Sequence, residues 1–231
     1  MDTRFYIGTI LLAAILLGLG GCDNAPKATE PSPVATADAA QGVIVCMGDS
    51  LTAGYGVDEA QAYPALLETK LREAGFDYQV INAGISGETS SGALSRLDWT
   101  LTLNPDILVL ATGANDGLRG VDPTLTHRNI EAMVSELEGR GIVVVLGGMQ
   151  MVRNLGSEFT RSFNAIYPDI ARASDSILIP FILEGVAGRP ALNQADGIHP
   201  TPDGYRIMVN HIFPFVVQAV ERHREKSADG A

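Results

Sequence analysis

Positive charge is scarce in this sequence, and that scarcity excludes one large class of partners. Lysine and arginine together number 16 against 27 aspartates and glutamates, which gives a formal net charge of −11. Proteins that bind nucleic acids need clustered cations that displace counterions from phosphates. We therefore expect no nucleic-acid partner, and the same balance offers no attraction to anionic lipid surfaces.

Cysteine is scarcer still, with Cys22 and Cys46 as the only two. A fold stapled by disulfides needs several paired cysteines, so that class is excluded. Cys46 lies in a β-rich apolar run, where a free cysteine behaves as a small buried residue. A phosphate-binding loop is also missing, because the segment GISGETSSG has no Lys-Ser or Lys-Thr pair to hold phosphate and metal.

The N-terminal apolar run is too short for an ordinary membrane span. It covers residues 5–19, about 15 residues against the ~20 that cross a bilayer, and Arg4 precedes it. This layout is typical of a signal-peptide core. The run ends in Leu-Gly-Gly-Cys22, which resembles a bacterial lipoprotein processing site whose cysteine is lipidated. The sequence therefore predicts a signal peptide over 1–21 and a lipid on Cys22. A simple secretory signal or an N-terminal anchor helix is the alternative.

A segment without apolar periodicity follows this site. Residues 23–41 are rich in Ala, Pro, Thr and Asp, a composition typical of a flexible tether. With Cys22 they form a lipidated linker over 22–41, which predicts a periplasmic or cell-envelope lipoprotein held at a membrane by its N-terminal lipid anchor. We expect one folded domain over 42–222, a disordered tail over 223–231 and a monomer, because a small α/β domain needs no partner.

Short β-rich runs alternate with helical stretches from residue 42 onward. The predicted strands are VIVCM, YQVINA, DILVLAT, IVVVLGG and SILIP. The predicted helices are Ala62–Ala74, Ser90–Leu103, Pro123–Arg140, Ser157–Ala173 and a region after Pro202. Pro168 should break the fourth helix and Pro214 should kink or interrupt the last. This alternation predicts an α/β fold, a three-layer αβα sandwich with a mostly parallel five-stranded sheet.

The polar and glycine-rich segments of this domain fall after strands. GDS follows the first strand, NAGISGETSSG the second, GANDGLRG the third, and NQADGIHPTPDG the last, after a loop. In open parallel sheets the ligand crevice lies outside the carboxyl ends of the strands. The sequence therefore predicts that these segments meet in one crevice.

Three residues of these segments have the side chains that acyl transfer from a serine requires. Ser50 sits where a strand turns toward a helix, as a nucleophile would. The short Asp-Gly-Ile-His spacing lets one turn carry a base, His199, and its partner, Asp196, to the same side. The backbone N–H groups of Ser50 and Gly84 and the amide of Asn115 are candidate donors for an oxyanion.

These residues also have plainer explanations. Ser50 alone is more often a helix cap than a nucleophile, and Asn115 alone is an ordinary turn residue. Glu88 and Asp116 could form a carboxylate pair for sugar hydrolysis, but no second feature supports it. A metal site would draw on side chains whose spacing matches no standard zinc or EF-hand pattern. Those side chains are Asp49, Asp116, Asp196 and His199.

The segment GDSL at residues 48–51 resembles the signature of the GDSL lipases and esterases. The segments around Gly84, Asn115 and His199 resemble the other blocks of the SGNH hydrolase superfamily, which is flavodoxin-like in fold. The similarity runs over residues 43–220 and is greatest to the bacterial arylesterase, acyl-CoA thioesterase and lysophospholipase group. It implies Ser50 as nucleophile, His199 as base and Asp196 as its partner. It further implies an oxyanion hole of Ser50, Gly84 and Asn115, with no metal or organic cofactor.

The same resemblance implies a serine esterase that hydrolyses carboxylic esters or thioesters through an acyl-enzyme. A small acyl ester or a lysophospholipid is the implied substrate. Two positions depart from the family: Ala114 replaces a usual glycine, and MVRNLGSEF occupies the loop where relatives carry a proline-containing segment at the acyl site. A carbohydrate or peptidoglycan O-acetylesterase is the alternative function, and a non-catalytic binding lipoprotein is a lesser one.

A long loop over residues 181–192 precedes the Asp-His pair. Loops of this length are usually functional or mobile. We expect Phe181, Ile182 and Leu183 to border the acyl pocket. The alternative is that they only cover the edge of the sheet, since apolar residues are most often core.

Overall fold

A computed structural model describes the chain over residues 40–151 and 155–229. The predicted signal peptide, Cys22 and nearly all of the predicted linker lie outside these residues. Within the two described ranges, no helix has both the length and the apolar character needed to cross a bilayer.

Five strands form one all-parallel sheet in the order β2-β1-β3-β4-β5. Their bounds are Gly42–Gly48 for β1, Tyr78–Gly84 for β2, Ile107–Ala111 for β3, Val143–Gly147 for β4 and Ile177–Ile179 for β5. The central strands β3 and β4 are buried throughout, which explains their uninterrupted apolar sequences. At one edge Gly48 lies in register with Gly84 and Ala111, so the loops after β1, β2 and β3 begin side by side.

Eight α-helices cover the two faces of the sheet in the described part of the chain. They are α1 Ser50–Ala53, α2 Tyr63–Glu73, α3 Ser90–Ser95, α4 Leu97–Leu101, α5 Ala114–Leu118, α6 Pro123–Gly139, α7 Ser157–Ala173 and α8 Pro202–Asp229. Helices α2 and α8 pack together on one side, and α3, α6 and α7 on the other. Short 3-10 turns occupy Glu59–Gln61 and Pro190–Leu192. The predicted α/β fold and its five strands are confirmed.

Prolines do not interrupt the long helices. Helix α7 runs through Pro168 and α8 through Pro214, so the predicted break at Pro168 is wrong. Proline costs about 3 kcal/mol in a helix interior, whereas each buried large apolar side chain contributes about 1.5–3 kcal/mol. Both prolines are exposed, and the opposite helix faces bury several such side chains. Examples are Tyr167 in α7 and Ile212 in α8.

Two other helix bounds differ from the predictions. The helix predicted over Ser90–Leu103 is divided into α3 and α4 at Arg96. Helix α8 continues to Asp229, so the tail predicted as disordered from residue 223 is helical as far as it is described. His223 Nδ1 and the Tyr78 hydroxyl share a hydrogen bond of 2.8 Å, which ties the last turns of α8 to β2. Such a contact between residues far apart in the chain leaves no trace in local periodicity.

Candidate active site

The end of β1 holds Ser50 in a turn that depends on glycine. A Cβ on Gly48 would lie 2.3 Å from the carbonyl oxygen of Ala111, so no larger residue fits where β1 meets β3. Asp49 follows and caps α1 by accepting a backbone N–H through its carboxylate. Ser50 is the first residue of this one-turn helix, so its backbone N–H is one of the donors that a helix start leaves unbonded within the helix.

Ser50, His199 and Asp196 form a hydrogen-bonded chain. Ser50 Oγ lies 2.8 Å from His199 Nε2, and His199 Nδ1 lies 2.7 Å from Asp196 Oδ2. The other carboxylate oxygen, Asp196 Oδ1, accepts the backbone N–H groups of Ile198 and His199 at 3.0 and 3.1 Å. The turn depends on Gly197, whose φ of 76° is unfavourable for other residues. The structure therefore brings the three predicted residues together.

Ionised Asp196 determines which nitrogen of the neighbouring His199 ring carries the proton. The hydrogen bond from His199, followed by those from the Ile198 and His199 backbones, lowers the pKa of Asp196 to about 2. An ionised Asp196 accepts from Nδ1–H, which leaves the lone pair of Nε2 facing Ser50. This is the arrangement in which His199 removes the serine proton.

Asp49 is a buried carboxylic acid next to this chain. It is 1% exposed, and burial raises its pKa to about 6, with a smaller opposing effect of the hydrogen bond from Leu51 N–H. Its Oδ2 lies 3.4 Å from Asn115 Nδ2. Asp49 thus connects the cap of the helix that carries Ser50 to the side chain of Asn115.

Asn115 is held in the crevice from two sides. It lies in α5, directly after β3, and its Nδ2 donates to the Glu88 carbonyl at 3.0 Å in addition to facing Asp49. Asn115 lines the same cavity as Ser50 and His199. The predicted donor is therefore present next to the serine.

Gly84 does not face the crevice, and its predicted role in the oxyanion hole is wrong. Its N–H donates to Asn82 Oδ1 at 3.0 Å. A Cβ on Gly84 would lie 2.2 Å from the backbone nitrogen of Ala53, so this glycine is needed where β2 packs against α1. Gly87, three residues further along the same segment, lines the cavity with a φ of 80°. Its N–H is the candidate donor that the sequence reasoning missed.

A buried ion pair supports the loop that carries Gly87. Arg96 Nε and Nη2 each lie 2.6 Å from a carboxylate oxygen of Glu88, and the side chains are only 13% and 6% exposed. Arg96 Nη2 also lies 3.4 Å from the Gly48 carbonyl. This bidentate pair ties the loop after β2 to the end of β1. It also explains the break between α3 and α4, because the side chain of Arg96 turns inward there.

A largely apolar cavity of about 410 Å³ opens beside Ser50. Its apolar lining includes Tyr55, Leu118, Met149, Met151, Phe181, Leu183 and Ile198. Met151 belongs to the segment MVRNLGSEF noted from the sequence, whereas Tyr55 and Met149 were not singled out, because nothing in the local sequence marks them as facing the cavity. An apolar lining of this kind favours contact with hydrocarbon groups.

Two of the three residues predicted for the acyl pocket face the cavity, and the third packs into the core. Phe181 and Leu183 line the cavity, as expected. Ile182 is fully buried and would contact a Cβ on Gly147 at 3.0 Å, so it packs against β4 and its predicted place in the pocket is wrong. The difference comes from a turn: the Ile182 N–H donates to the Gly148 carbonyl at 2.9 Å, which holds this residue against the end of β4 while its two neighbours line the cavity.

The carboxylates weighed as metal ligands do not assemble into a site. Asp116 is fully buried, and its two oxygens accept hydrogen bonds from the backbone and hydroxyl groups of Ser90. Between residues 40 and 229, apart from the undescribed 152–154, no group of three or more His, Cys, Asp or Glu side chains is arranged to hold a metal ion.

Residues 46–207 match the model of the GDSL-like Lipase/Acylhydrolase family. Esterase TesA of Pseudomonas aeruginosa is 38% identical over 180 residues, which cover 78% of this chain and 90% of that protein. Thioesterase 1/protease 1/lysophospholipase L1 of Escherichia coli K12 is 36% identical over 166 residues, covering 71% of this chain and 78% of that protein.

A solved structure shows the same similarity in three dimensions. The crystal structure of AlinE4, an SGNH-hydrolase family esterase, is 41% identical with a TM-score of 0.65. The superposition covers 77% of this chain and 96% of AlinE4. The family match over residues 46–207 contains Ser50, Asp196 and His199, the three hydrogen-bonded residues described above.

Proposed function

We propose that this chain, which belongs to the GDSL-like lipase/acylhydrolase family, hydrolyses carboxylic esters and thioesters through an acyl-enzyme formed on Ser50. The observation that carries the proposal is the hydrogen-bonded chain of Asp196, His199 and Ser50 at the mouth of an apolar cavity. A protein that only binds a ligand does not need three side chains hydrogen-bonded in this way. The non-catalytic binding lipoprotein considered from the sequence is therefore not favoured.

Each residue has one task in the proposed reaction. His199 Nε2 takes the Ser50 proton while Oγ attacks the acyl carbon, and it then gives the proton to the departing oxygen or sulfur. Water next attacks the acyl-enzyme, again giving its proton to His199, and the acid leaves as Ser50 recovers its proton. Asp196 holds the imidazole in one orientation throughout. No step requires a metal or an organic cofactor.

Three donors would stabilise the oxyanion of each tetrahedral intermediate. They are the backbone N–H of Ser50, the backbone N–H of Gly87 and the amide of Asn115, and all three residues line the cavity. Donors of this type contribute about 2.7–4 kcal/mol each to the barrier when they are fixed before reaction. The bond from Asn115 Nδ2 to the Glu88 carbonyl at 3.0 Å provides that fixation, and the second N–H of the same amide, now 3.4 Å from Asp49 Oδ2, turns to the oxyanion when it forms.

The cavity supports a substrate with a hydrocarbon acyl chain. Its Met, Leu and Phe lining favours medium or longer acyl groups, such as those of acyl thioesters and lysophospholipids, the classes named for the Escherichia coli relative. A glycan O-acetylesterase would need polar groups to bind sugar, and the apolar lining does not favour it.

A p-nitrophenyl ester series from acetyl to palmitoyl tests the proposal. Wild type should turn over the series in a serine-dependent manner with highest kcat/KM at medium or long chains, and Ser50→Ala should lose at least about 10³-fold in kcat. Activity confined to acetyl would favour the O-acetylesterase. Equal activity of Ser50→Ala would refute the mechanism.

We also propose that the protein is a monomeric lipoprotein of the cell envelope, anchored through Cys22. The short apolar run, the Leu-Gly-Gly-Cys22 site and the polar linker after it support this localisation. Wild type expressed in a bacterium should fractionate with membranes, and Cys22→Ser should lose the lipid, as measured by mass spectrometry of the N-terminal peptide. An unmodified, uncleaved N-terminus in wild type would instead indicate an anchor helix.

A further inference from the structure

We infer that Arg119 is a positioning residue that holds the oxyanion donors of Gly87 and Asn115 at a fixed separation. The inference deepens the serine mechanism proposed above and rests on it. Arg119 directly follows α5 and is exposed, a position where arginine is usually just a solvated residue. It is not among the described residues that line the cavity, so it reaches the reaction only through the groups that it bonds.

The segment that carries Gly87 is a turn that requires glycine. The Glu88 N–H donates to the Ile85 carbonyl at 3.1 Å, which closes a four-residue turn with Gly87 as its third residue. The Gly87 φ of 80° is the value that type II turns need at that position. Its N–H belongs to the central peptide of the turn, and glycine permits the rotation that would direct this N–H elsewhere. The donor therefore depends on contacts from outside the turn.

Arg119 bonds both this turn and the residue that carries the amide donor. Its Nη2 donates to the Gly87 carbonyl at 2.9 Å, and its backbone N–H donates to the Asn115 carbonyl at 3.1 Å. The same Nη2 would lie 3.6 Å from a Cβ on Gly87, so the guanidinium packs directly against this glycine. One residue thus joins the two residues whose N–H groups are candidate oxyanion donors.

The bond from Arg119 is independent of the reacting groups. Asn115 Nδ2 holds the next carbonyl of the turn, that of Glu88, at 3.0 Å, but this amide also has to serve the oxyanion. The guanidinium takes no part in the reaction, so it keeps the Gly87 carbonyl in place while the amide turns. Such support matters because a misplacement of about 1 Å can cost about 10²-fold in rate.

Removing the guanidinium tests this role. We expect Arg119→Met to lower kcat for p-nitrophenyl butyrate about 5–20-fold with KM within about twofold, because a loosened donor loses part of the 10²–10³-fold that a fixed one contributes. Arg119→Lys keeps a cationic donor and should recover most of the loss, since a single bond to a carbonyl does not need the planar fork of arginine. The matched control is Arg140→Met, an exposed arginine that directly follows α6 in the same way. It should keep wild-type kcat and KM.

The inhibition constant of 1,1,1-trifluoro-2-hexanone separates this role from a loss of structure. Ser50 Oγ adds to the carbonyl carbon of this ketone, the serine proton passes to His199, and the carbonyl oxygen becomes an oxyanion. The inhibition constant should rise in Arg119→Met by about the factor by which kcat/KM falls. An unfolded fraction lowers the apparent kcat but leaves the inhibition constant of the folded enzyme unchanged.

All measurements use the full-length chain in detergent. Wild-type kcat in Arg119→Met, or a lower kcat with an unchanged inhibition constant, would overturn the positioning role. A raised KM with unchanged kcat would mean that Arg119 contacts the substrate directly, and an equal loss in Arg140→Met would mean a general effect of surface charge, and either result overturns it too. No ester turnover by wild type, or turnover that survives Ser50→Ala, would instead refute the serine mechanism itself.

Discussion

His199 Nδ1 lies 2.7 Å from Asp196 Oδ2, and the other oxygen of that carboxylate bonds the backbone N–H of His199 itself. One side chain therefore orients both the ring and the main chain of the base. In Asp196→Asn the amide offers an N–H where the carboxylate accepted one, which disfavours the productive tautomer. We expect kcat for p-nitrophenyl butyrate to fall about 10⁴-fold with little change in KM.

The matched control is Asp98→Asn, an exposed aspartate in the first turn of α4. It removes the same charge and should keep wild-type kcat. A fall of less than about tenfold in Asp196→Asn would show that the carboxylate does not hold the catalytic tautomer.

Burial of Asp49 makes stability depend on pH. Its pKa is about 6 in the folded protein against 3.8 for the free group, so the folded state holds its proton over a pH range where the unfolded state has lost it. Stability from this group is therefore present below pH 3.8 and decreases as pH rises to about 6. Relative to Asp49→Asn, wild type should lose about 2 kcal/mol of unfolding free energy between pH 4 and pH 7. Urea denaturation at several pH values measures this difference, and a constant difference would contradict the prediction.

Two asparagines near the crevice should respond oppositely to truncation. Asn115→Ala removes an amide fixed beside Ser50, so we expect kcat to fall about 10²–10³-fold with KM nearly unchanged. Asn82→Ala releases the Gly84 N–H from its bond of 3.0 Å but changes nothing in the crevice. Its kcat should stay at the wild-type level. A large change of kcat in Asn82→Ala would contradict this and would mean that the Gly84 N–H takes part in the oxyanion hole.

The ion pair of Arg96 and Glu88 should contribute through its pairing rather than through either charge alone. Arg96→Met leaves a buried carboxylate without its partner, and we expect it to destabilise the fold by about 3–5 kcal/mol. Glu88→Leu combined with Arg96→Met removes both charges and should be considerably less destabilised. A double-mutant cycle from urea denaturation checks this, and additive losses would argue against the pairing.

Neighbouring residues of the loop after β5 should separate selectivity from stability. Phe181→Ser with Leu183→Ser makes the cavity wall polar and should shift the p-nitrophenyl ester optimum toward shorter chains. Ile182→Ala opens a void against β4 and should lower the unfolding free energy by about 2–5 kcal/mol while the chain-length profile keeps its shape. A changed profile in Ile182→Ala would place that side chain back at the substrate.

Ser50, His199 and Asp196 could be predicted because their signals are local and the rule that joins them is general. Each follows a strand or lies on one short turn, and parallel strands end at the same edge of a sheet. Local sequence could not show that Gly87, and not Gly84, supplies the backbone N–H of the candidate oxyanion hole. It depends on where β2 ends relative to α1, and the close approach of Gly84 to Ala53 appears only when those elements pack.

The other differences also come from packing between distant parts of the chain. Arg96 divides a helix because Glu88 lies under it, and Tyr78 extends α8 by bonding His223. Pro168 is tolerated because the opposite face of α7 is buried. Local propensity is a weak prior that tertiary contacts override, so these residues could not be interpreted from their neighbours in sequence.

The separation of Ser50 from His199 by 149 positions has a consequence for how the enzyme matures. Strand β1 pairs with β2 on one side and with β3 on the other, and both partners lie later in the chain. Contacts between segments that are far apart in sequence form slowly, because a long loop must close first. The base arrives on the last loop before α8, after all five strands. Ester turnover therefore begins only when the whole domain is folded. A chain released before residue 199 is synthesised has Ser50 but no base to activate it.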